Sequence, residues 1–243
     1  MTAPLVIVTG TGTGIGKTHF CAALLMRWAQ ALEAAGIAQA GVAGLKPVES
    51  GVVPGVPTDA QTLERASTFH VKRFPPPYML RRAVSPHLAA ADEGRVLDVE
   101  VIRAYVDGVR AEADAVAVEL PGGLFSPLGP QLDNAVVAGA LAPTAVLLVA
   151  PDRLGVLHDV AAATRAAAAC GVALTGIVVI APEHADASTG TNAAELRLVS
   201  TVPVVASLPR ADVETLSAHA DVEKLLRELV TLVTKTTPRP PRP

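Results

Sequence analysis

Short runs of aliphatic and β-branched residues alternate with longer alanine-rich segments along the whole chain. Runs so uniformly apolar are typical of strands that are buried on both faces, as in a parallel sheet. Strands are predicted over Leu5–Thr9, Val42–Pro47, Ala115–Val118, Ala145–Ala150, Gly176–Ile180 and Val202–Ala206. Helices are predicted over Thr18–Ala35, Asp59–Ser67, Asp98–Glu112, Gly155–Cys170, Asn192–Val199 and Asp221–Thr234. This alternation predicts a doubly wound α/β fold, a mostly parallel sheet with helices on both faces.

The length and composition of the chain agree with a single domain. Of its 243 residues half are apolar but only 3% are aromatic, so small aliphatic side chains must supply most of the core. One domain is predicted over residues 1–235, because strands and helices alternate as far as its end. The proline- and arginine-rich residues 236–243 are expected to form a disordered tail.

Charge and apolar patterning restrict the partners of the chain. Its 20 Lys and Arg residues against 23 Asp and Glu residues argue against charge-driven binding to nucleic acid or membranes. The N-terminus lacks a basic segment, and the apolar stretch Ala135–Pro151 is interrupted by Gly139 and Pro143, so no signal peptide or spanning helix is predicted. We therefore expect a cytoplasmic protein in which Cys21 and Cys170 are buried, reduced thiols.

A glycine-rich loop joins the first predicted strand to the first predicted helix. Residues 10–18 read GTGTGIGKT, and such glycines let backbone N–H groups turn toward phosphate beside the positive helix N-terminus. Lys17 can reach the β- and γ-phosphates, and the hydroxyl of Thr18 can bind Mg²⁺. The loop is a variant of the usual pattern, because five residues rather than four separate Gly10 from Gly16. It predicts a nucleotide site but no particular reaction.

Three further polar residues stand where a strand ends or a helix begins: Lys46, Asp59 and Glu119. Ligands of open α/β sheets bind at the carboxyl ends of the strands, so we expect these residues to converge on the phosphate loop. Lys46 could neutralise a transferring phosphoryl group, and Thr18, Asp59 and Glu119 could supply oxygen ligands to Mg²⁺. Taken alone, Lys46 is better interpreted as a surface lysine before a turn, and Asp59 could be an N-terminal helix charge or cap.

Together these segments resemble one family, the dethiobiotin synthetases of the P-loop NTPase superfamily. The segments VTGTGTGIGKT at residues 8–18, KPVESG at 46–51 and ELPGGLFSPL at 119–128 are similar to its three main motifs, in its order. Asp59 stands where the family has its Mg²⁺-binding aspartate. The segment SPHLAA at residues 85–90 and the segments at 202–204 and 208–209 resemble further family elements, so the similarity covers nearly residues 4–210.

The resemblance implies a homodimeric, ATP-dependent cyclo-ligase of biotin biosynthesis. Its substrates would be 7,8-diaminononanoate, CO₂ or bicarbonate, and ATP with Mg²⁺. One amine takes up CO₂ as a carbamate, ATP phosphorylates the carbamate, and the second amine attacks the mixed anhydride, expelling phosphate and closing the ureido ring. In the family the substrate lies at the subunit interface, and its tail carboxylate is received by the partner chain.

The resemblance also implies a role for each matching residue. The catalytic residues would be Lys46, Lys17 and Thr13, and the Mg²⁺ ligands would be Thr18, Asp59 and Glu119. Contacts to the nucleotide are expected from Gly14, Ile15, Gly16, Lys17, Thr18, His19, Asp59, Glu119, Gly122 and Pro209. Contacts to the substrate are expected from Thr13 and Ser50, from backbone N–H groups around Gly122, Gly123 and Leu124, and, for its tail carboxylate, from Gly155, Leu157 and His158 at a predicted helix start.

The chain departs from the family pattern at the nucleotide site. The family often has an acidic residue in the phosphate loop, where Gly12 or Gly14 stands here, so that contact is missing. It also commonly has an adenine-reading asparagine after the strand Gly176–Ile180, whereas alanine and proline follow here and no asparagine precedes Asn192. We therefore hypothesise a relaxed or altered base preference, with other nucleoside triphosphates accepted besides ATP.

Other enzymes and one binding protein share this style of loop. A corrinoid amide synthetase generally carries a glutaminase domain with a nucleophilic cysteine, for which this chain is too short. A regulatory ATPase of the plasmid-partitioning type carries an additional lysine near the start of its loop, and Gly10–Gly16 contains none. A nucleotide-binding relative without turnover would not be expected to keep Lys17, Lys46, Asp59 and Glu119.

Overall fold

The six predicted strands form one parallel sheet in the computed structural model, which describes residues 2–234. The predicted tail, residues 236–243, lies outside the described residues. The sheet consists of β1 (Leu5–Gly10), β2 (Val42–Leu45), β5 (Ala115–Glu119), β8 (Ala145–Pro151), β9 (Gly176–Ile180) and β10 (Val204–Leu208), in the order β10-β9-β8-β1-β5-β2. Two short pairs lie apart from it: β3 (Val48–Ser50) with β4 (Tyr78–Leu80), and β6 (Pro127–Gly129) with β7 (Leu132–Asp133). The doubly wound α/β prediction is confirmed.

Helices follow the strands as the alternation predicts. The helices are α1 (Lys17–Ala34), α2 (Asp59–Ala66), α3 (Pro86–Asp92), α4 (Val99–Glu112), α5 (Asn134–Leu141), α6 (Val156–Ala169), α7 (Asn192–Glu195), α8 (Val213–Ser217) and α9 (Ala220–Thr234). Within residues 2–234, no helix has both the length and the apolar composition that crossing a membrane requires.

The sheet is buried on both faces because alternate residues of each strand enter different cores. In β1 the side chains of Leu5 and Ile7 pack with α4 and α5, whereas Val6 and Val8 pack with α1 and α9. All residues of β1, β5, β8 and β9 are buried. The uninterrupted apolar runs therefore reflect two-sided burial, as expected for parallel strands.

Some boundaries differ from the sequence predictions. The last strand is Val204–Leu208 rather than Val202–Ala206, and its pairing with β9 shifts register between Val204 and Ala206. The predicted strand Val42–Pro47 ends at Leu45, and Lys46 follows it. Helix α3, helix α8 and strands β3 and β4 were not predicted, because segments of three to seven residues carry too short a pattern.

The thiol prediction is half wrong. Cys21 is buried in α1, but Cys170 is exposed. Cys170 caps the C-terminus of α6, and its backbone N–H donates to carbonyls of the last turn. The C-terminal end of α6 lies at the surface, so its cap residue is exposed. An alanine-rich sequence does not indicate which end of a helix is buried.

Strand β2 packs closely under α1 and α2 at Gly44. A Cβ atom at Gly44 would lie 2.3 Å from Cδ1 of Leu25 and 3.1 Å from Cβ of Leu63. Both leucines are fully buried, so neither has free space to move into. This close approach holds α2, and Asp59 at its start, against the sheet.

We predict that Gly44→Ala destabilises the protein by about 2 kcal/mol, because the added methyl group overpacks this contact. Gly139→Ala is the matched control, since a Cβ at that helical position meets no atom within 4 Å. Replacing a helical glycine by alanine is expected to stabilise the fold by about 0.5–1 kcal/mol. Urea denaturation would measure both changes, and equal unfolding midpoints for the two variants would contradict the packing argument.

Candidate functional site

A large cavity of about 1010 Å³ opens at the carboxyl ends of the parallel strands. The phosphate loop and the ends of β2, β5 and β9 contribute its walls. Most of the predicted site residues line it: Thr13, Gly14, Ile15, Gly16, Lys17, Thr18, His19, Lys46, Ser50, Asp59, Glu119, Gly122 and Pro209. Segments that are distant in sequence therefore share one cavity, as the switch-point rule for open sheets predicts.

The phosphate loop depends on glycines with left-handed backbone. Gly14 has φ +72° and Gly16 has φ +91°, conformations that favour glycine. Gly16 also lies close to β9, because a Cβ there would approach Cδ1 of Ile180 to 3.1 Å. Helix α1 begins immediately afterwards, so its first N–H groups are directed toward the loop.

Lys17 is folded back onto its own loop. Its Nζ donates a 2.6 Å hydrogen bond to the carbonyl oxygen of Gly12, and only 5% of the residue is exposed. Burial lowers the pKa of Lys17 to about 8, an effect that Glu119 opposes. The lysine thus lies at the loop with few partners for its charge, as expected of a group that binds phosphate.

Lys46 joins the two carboxylates that the sequence singles out. Its Nζ lies 2.5 Å from Oε1 of Glu119 and 2.9 Å from Oδ2 of Asp59. Strand register explains the first contact, because Leu45 of β2 stands opposite Val118 of β5 and the next residue of each strand follows in step. Although burial alone would lower it, the pKa of Lys46 is raised because both carboxylates stabilise the ammonium.

The carboxylates and a hydroxyl form a set of oxygen ligands suited to Mg²⁺. Thr18 donates a 3.1 Å hydrogen bond to Oε1 of Glu119. The other carboxylate oxygen of Glu119 is buried and has no hydrogen-bond partner among the described residues. An orphaned, buried carboxylate oxygen is a strong acceptor for a cation. Across residues 2–234, no cluster of three or more His, Cys, Asp or Glu could hold a metal unaided. The set thus fits a cation that takes further ligands from phosphate and water.

The loop after β5 is held by internal hydrogen bonds. The N–H of Gly123 donates to Oγ of Ser126, and that of Leu124 donates to the carbonyl of Gly10. The buried side-chain amide of Asn134 donates to the carbonyls of Pro121 and Gly123. Two of the N–H groups predicted to face substrate, those of Gly123 and Leu124, are therefore used within the chain.

The residues predicted for the tail carboxylate lie elsewhere. Gly155 is the N-cap of α6, with Leu157 and His158 in its first turn, and none of them lines the cavity. The structure thus does not bring these three residues to the phosphate loop of their own chain.

Two aspartates fix the start of α6 to the segment after β9. Buried Asp152 accepts hydrogen bonds from Asn192 Nδ2 at 2.7 Å and from Gly190 N–H at 2.7 Å. Asp186 accepts from the N–H of Leu154, at 2.8 Å, and from the hydroxyl of Ser188. Asn192, the first asparagine after β9, is therefore committed to this network.

Several cavity residues were quoted in motifs without a functional role. Glu49 and Ser126 belong to the segments KPVESG and ELPGGLFSPL, and both line the cavity. For these two the motifs were the available signal, but only the folded chain shows which members face the cavity. Arg210 and Asp212, which belong to no quoted motif, line the end of the cavity beyond β9 and β10.

These features define a class of protein. A glycine-rich loop between a buried strand and a helix, with a lysine, a hydroxyl and two carboxylates beside it, is the phosphate site of the P-loop nucleotide-binding proteins. Residues 5–217 match the AAA_26 family, described as an AAA domain. The ATP-dependent dethiobiotin synthetase of Ralstonia nicotianae is 37% identical over 227 residues, covering 90% of this chain and 96% of the relative. The chain belongs to the dethiobiotin synthetase family.

A second relative agrees with this assignment, and two solved structures share the fold. The ATP-dependent dethiobiotin synthetase of Nitrosospira multiformis is 36% identical over 224 residues, covering 90% of this chain and 95% of the relative. The septum site-determining protein MinD of Pyrococcus horikoshii with Mg-ADP aligns over 98% of this chain and 99% of its own, with TM-score 0.52 and 14% identity. A ParA family ATPase of Chlorobium tepidum aligns over 96% of each chain, with TM-score 0.54 and 11% identity. At such identities these structures show the fold alone.

We predict that Asp186 stabilises the fold only above acidic pH. The hydrogen bond from Ser188, followed by that from Leu154, lowers the pKa of Asp186 to about 2. A depressed folded-state pKa gives stability that is present above the unfolded value of about 4 and is lost as pH falls through about 2. The variant Asp186→Asn should therefore be less stable than the natural chain at pH 7, with the difference shrinking between pH 4 and 2.

Urea midpoints measured from pH 2 to 7 would check this prediction. Glu183→Gln is the control in the same segment, since its carboxylate pairs at the surface with Arg210, and it should shift the midpoint less. A difference for Asp186→Asn that stays constant with pH would contradict the assigned hydrogen bonds.

Proposed function

We propose that the protein is an ATP-dependent dethiobiotin synthetase, which closes the ureido ring of dethiobiotin from 7,8-diaminononanoate, CO₂ and ATP. The observation that carries this proposal is the meeting of Lys17, Lys46, Asp59 and Glu119 on one cavity. They do so in a chain whose near full-length relatives are named for that activity.

The reaction proceeds in three steps. One amine of the substrate attacks CO₂ and loses a proton, which forms the N–C bond of a carbamate. A carbamate oxygen then takes the γ-phosphoryl group of ATP, and ADP leaves. The second amine attacks the carbamoyl carbon and loses a proton, the C–O bond to phosphate breaks, and inorganic phosphate leaves as the ring closes.

The two lysines would stabilise the negative charge at different points of the reaction. Lys17, on the phosphate loop, would hold the β- and γ-phosphates, and Lys46 would face the γ-phosphoryl group and the carbamate. Both are almost fully buried, and charge stabilisation by fixed groups is strongest where water is excluded. Thr13 and Ser50 line the same cavity and would position the amine and carbamate.

Thr18, Asp59 and Glu119 are the residues that would hold Mg²⁺. When bound, Mg²⁺ would neutralise the negative charge that develops on the phosphoryl group during transfer. The orphaned oxygen of Glu119 supports this role, because a buried carboxylate oxygen without a hydrogen bond gains from a cation.

A homodimer would complete the substrate site. The predicted carboxylate-binding residues Gly155, Leu157 and His158 lie outside the cavity of their own chain, which suits a site that they complete on a partner subunit. The neighbouring Leu154 is 76% exposed, and an exposed leucine beside such a site suits an interface.

The base preference belongs to this proposal. Ile180, Pro209 and Arg210 line the end of the cavity beyond β9 and β10, and Asn192 is bonded to Asp152 instead. Because no asparagine side chain is available after β9 to read adenine, we infer that nucleotides other than ATP are also accepted.

The deciding experiment measures nucleoside diphosphate release with Mg²⁺ and ¹³C-bicarbonate, with and without 7,8-diaminononanoate. We expect release that depends on the diamine, and a ¹³C-labelled product heavier than the diamine by CO₂ less water. Parallel reactions with ATP, CTP and GTP at equal subsaturating concentration test the base preference, and strict dependence on ATP would refute that part alone. Release indifferent to the diamine would instead favour a regulatory ATPase, the class that shares the fold.

The role of Lys46 is tested by the variant Lys46→Ala. Removing a charge-stabilising group beside the reacting atoms should lower kcat about 10²–10³-fold, while Mg-nucleotide affinity changes only a few-fold. In the absence of ligands, the free energy of unfolding of the variant should be lower by about 3–5 kcal/mol, because the buried carboxylate of Glu119 loses its ion-pair partner.

Lys72→Ala is the control, since that lysine pairs at the surface with Glu64 and is 82% exposed. Its turnover and stability should match those of the natural chain. A parallel loss of nucleotide affinity and turnover in Lys46→Ala would show that Lys46 binds nucleotide rather than the transferring group.

A further inference from the structure

A carboxylate from another element holds the first turn of α2. The side chain of Glu49, on β3, accepts hydrogen bonds from the N–H of Asp59 at 2.7 Å and from the N–H of Ala60 at 2.9 Å. Each oxygen of the carboxylate takes one N–H group. Asp59 is the first residue of α2, so its backbone is fixed directly by Glu49.

Glu49 is not needed merely to start the helix. Thr58 already forms a capping box with Gln61, in which each side chain accepts from the other residue's backbone N–H at 3.1 Å. A capping box satisfies the backbone N–H groups of its own two residues. Glu49 therefore adds a second set of contacts to a helix that is already capped.

The position of Glu49 is also electrostatically demanding. Burial raises the pKa of Glu49, and the neighbouring carboxylate of Asp59 acts in the same direction. A negative charge so close to another is unfavourable unless hydrogen bonds or positive charges compensate it. The two N–H groups and the helix N-terminus compensate it locally.

The backbone of Glu49 is itself held in place by strand pairing. Glu49 lies in β3, which pairs in parallel with β4, with Glu49 opposite Met79. Asp59 lies at the far end of the loop, and its carboxylate meets Lys46, 2.9 Å from Nζ. Glu49 thus connects a paired strand to the residue whose carboxylate must meet Lys46.

We propose that Glu49 is a positioning residue for the Mg²⁺ site: by binding two backbone N–H groups of α2, it holds the carboxylate of Asp59 in the orientation that a metal requires. Groups behind a metal ligand typically change metal affinity by 10–100-fold when removed. The inference rests on the proposed function, in which Asp59 binds Mg²⁺ beside nucleotide.

The test compares the binding of adenylyl imidodiphosphate, a non-hydrolysable ATP analogue, with and without Mg²⁺ by titration calorimetry. The quantity of interest is the factor by which Mg²⁺ tightens binding. We expect Glu49→Ala to reduce that factor about tenfold. Glu49→Gln keeps one acceptor oxygen and should recover part of the loss.

Thr58→Ala is the matched control, because it removes a cap from the same helix. It should lower the melting temperature by about 3 °C, yet leave the effect of Mg²⁺ on binding as in the natural chain. If both caps act only through helix stability, Thr58→Ala and Glu49→Ala will reduce the factor equally, which would overturn the proposal.

The outcomes separate this inference from the proposed function. A natural chain whose binding is indifferent to Mg²⁺ refutes the metal site, and the positioning role falls with it. A natural chain that responds to Mg²⁺, with Glu49→Ala responding equally, refutes the role of Glu49 alone.

A second measurement does not need turnover or metal. In the ligand-free protein, amide hydrogen exchange at Asp59 and Ala60 should be faster in Glu49→Gln than in the natural chain, while exchange at Gln61 is unchanged. If Glu49→Ala does not fold, Glu49→Gln still decides the question through this measurement and the calorimetry. Unchanged exchange at Asp59 and Ala60 would show that Glu49 does not hold the helix.

Discussion

Glu119 ends a fully buried strand and is itself 1% exposed, so its charge is stable only with a close partner. Lys46 is that partner, and the register of β2 against β5 brings the two side chains together. The same lysine reaches Asp59 at the start of α2. The strand order around β5, the close packing at Gly44 and the capping of α2 thus all determine whether one buried charge is compensated. A change in any of them alters the electrostatics of the cavity.

The site contains two buried lysines whose ammonium groups have different bonding partners. Lys46 is bonded to two carboxylates, whereas Lys17 donates to a neutral carbonyl of its own loop. Burial without a bonded carboxylate lowers the pKa of Lys17, while paired carboxylates raise that of Lys46. A phosphate group therefore gains more from Lys17 than a surface lysine could offer, since the ammonium meets it with little water to displace. Lys46 instead holds the two carboxylates in place around its ammonium group.

Much of the fold was predictable because two-sided burial leaves continuous apolar runs and phosphate loops require glycine at set positions. The convergence of Lys46, Asp59 and Glu119 was predictable for a related reason, since each follows a strand or starts a helix at one edge of the sheet. The bonds from Glu49 to α2 and from Asn134 to the loop after β5 were not, because they join residues through space without any periodic pattern. The strand β10 began two residues later than predicted, because an apolar run marks burial rather than the first ladder hydrogen bond.

The hydrogen bonds of Asp152 and Asp186 constrain how loops can be exchanged between relatives. Residues 186–192 are bonded to Asp152 and Leu154, which lie outside that segment by sequence. The segment and the end of β8 therefore form one hydrogen-bonded unit assembled from two separate parts of the chain. Grafting the segment into another scaffold would leave the buried carboxylate of Asp152 behind, and a transplanted Asn192 would arrive without its acceptor. Recombination at this edge of the sheet must move both pieces together.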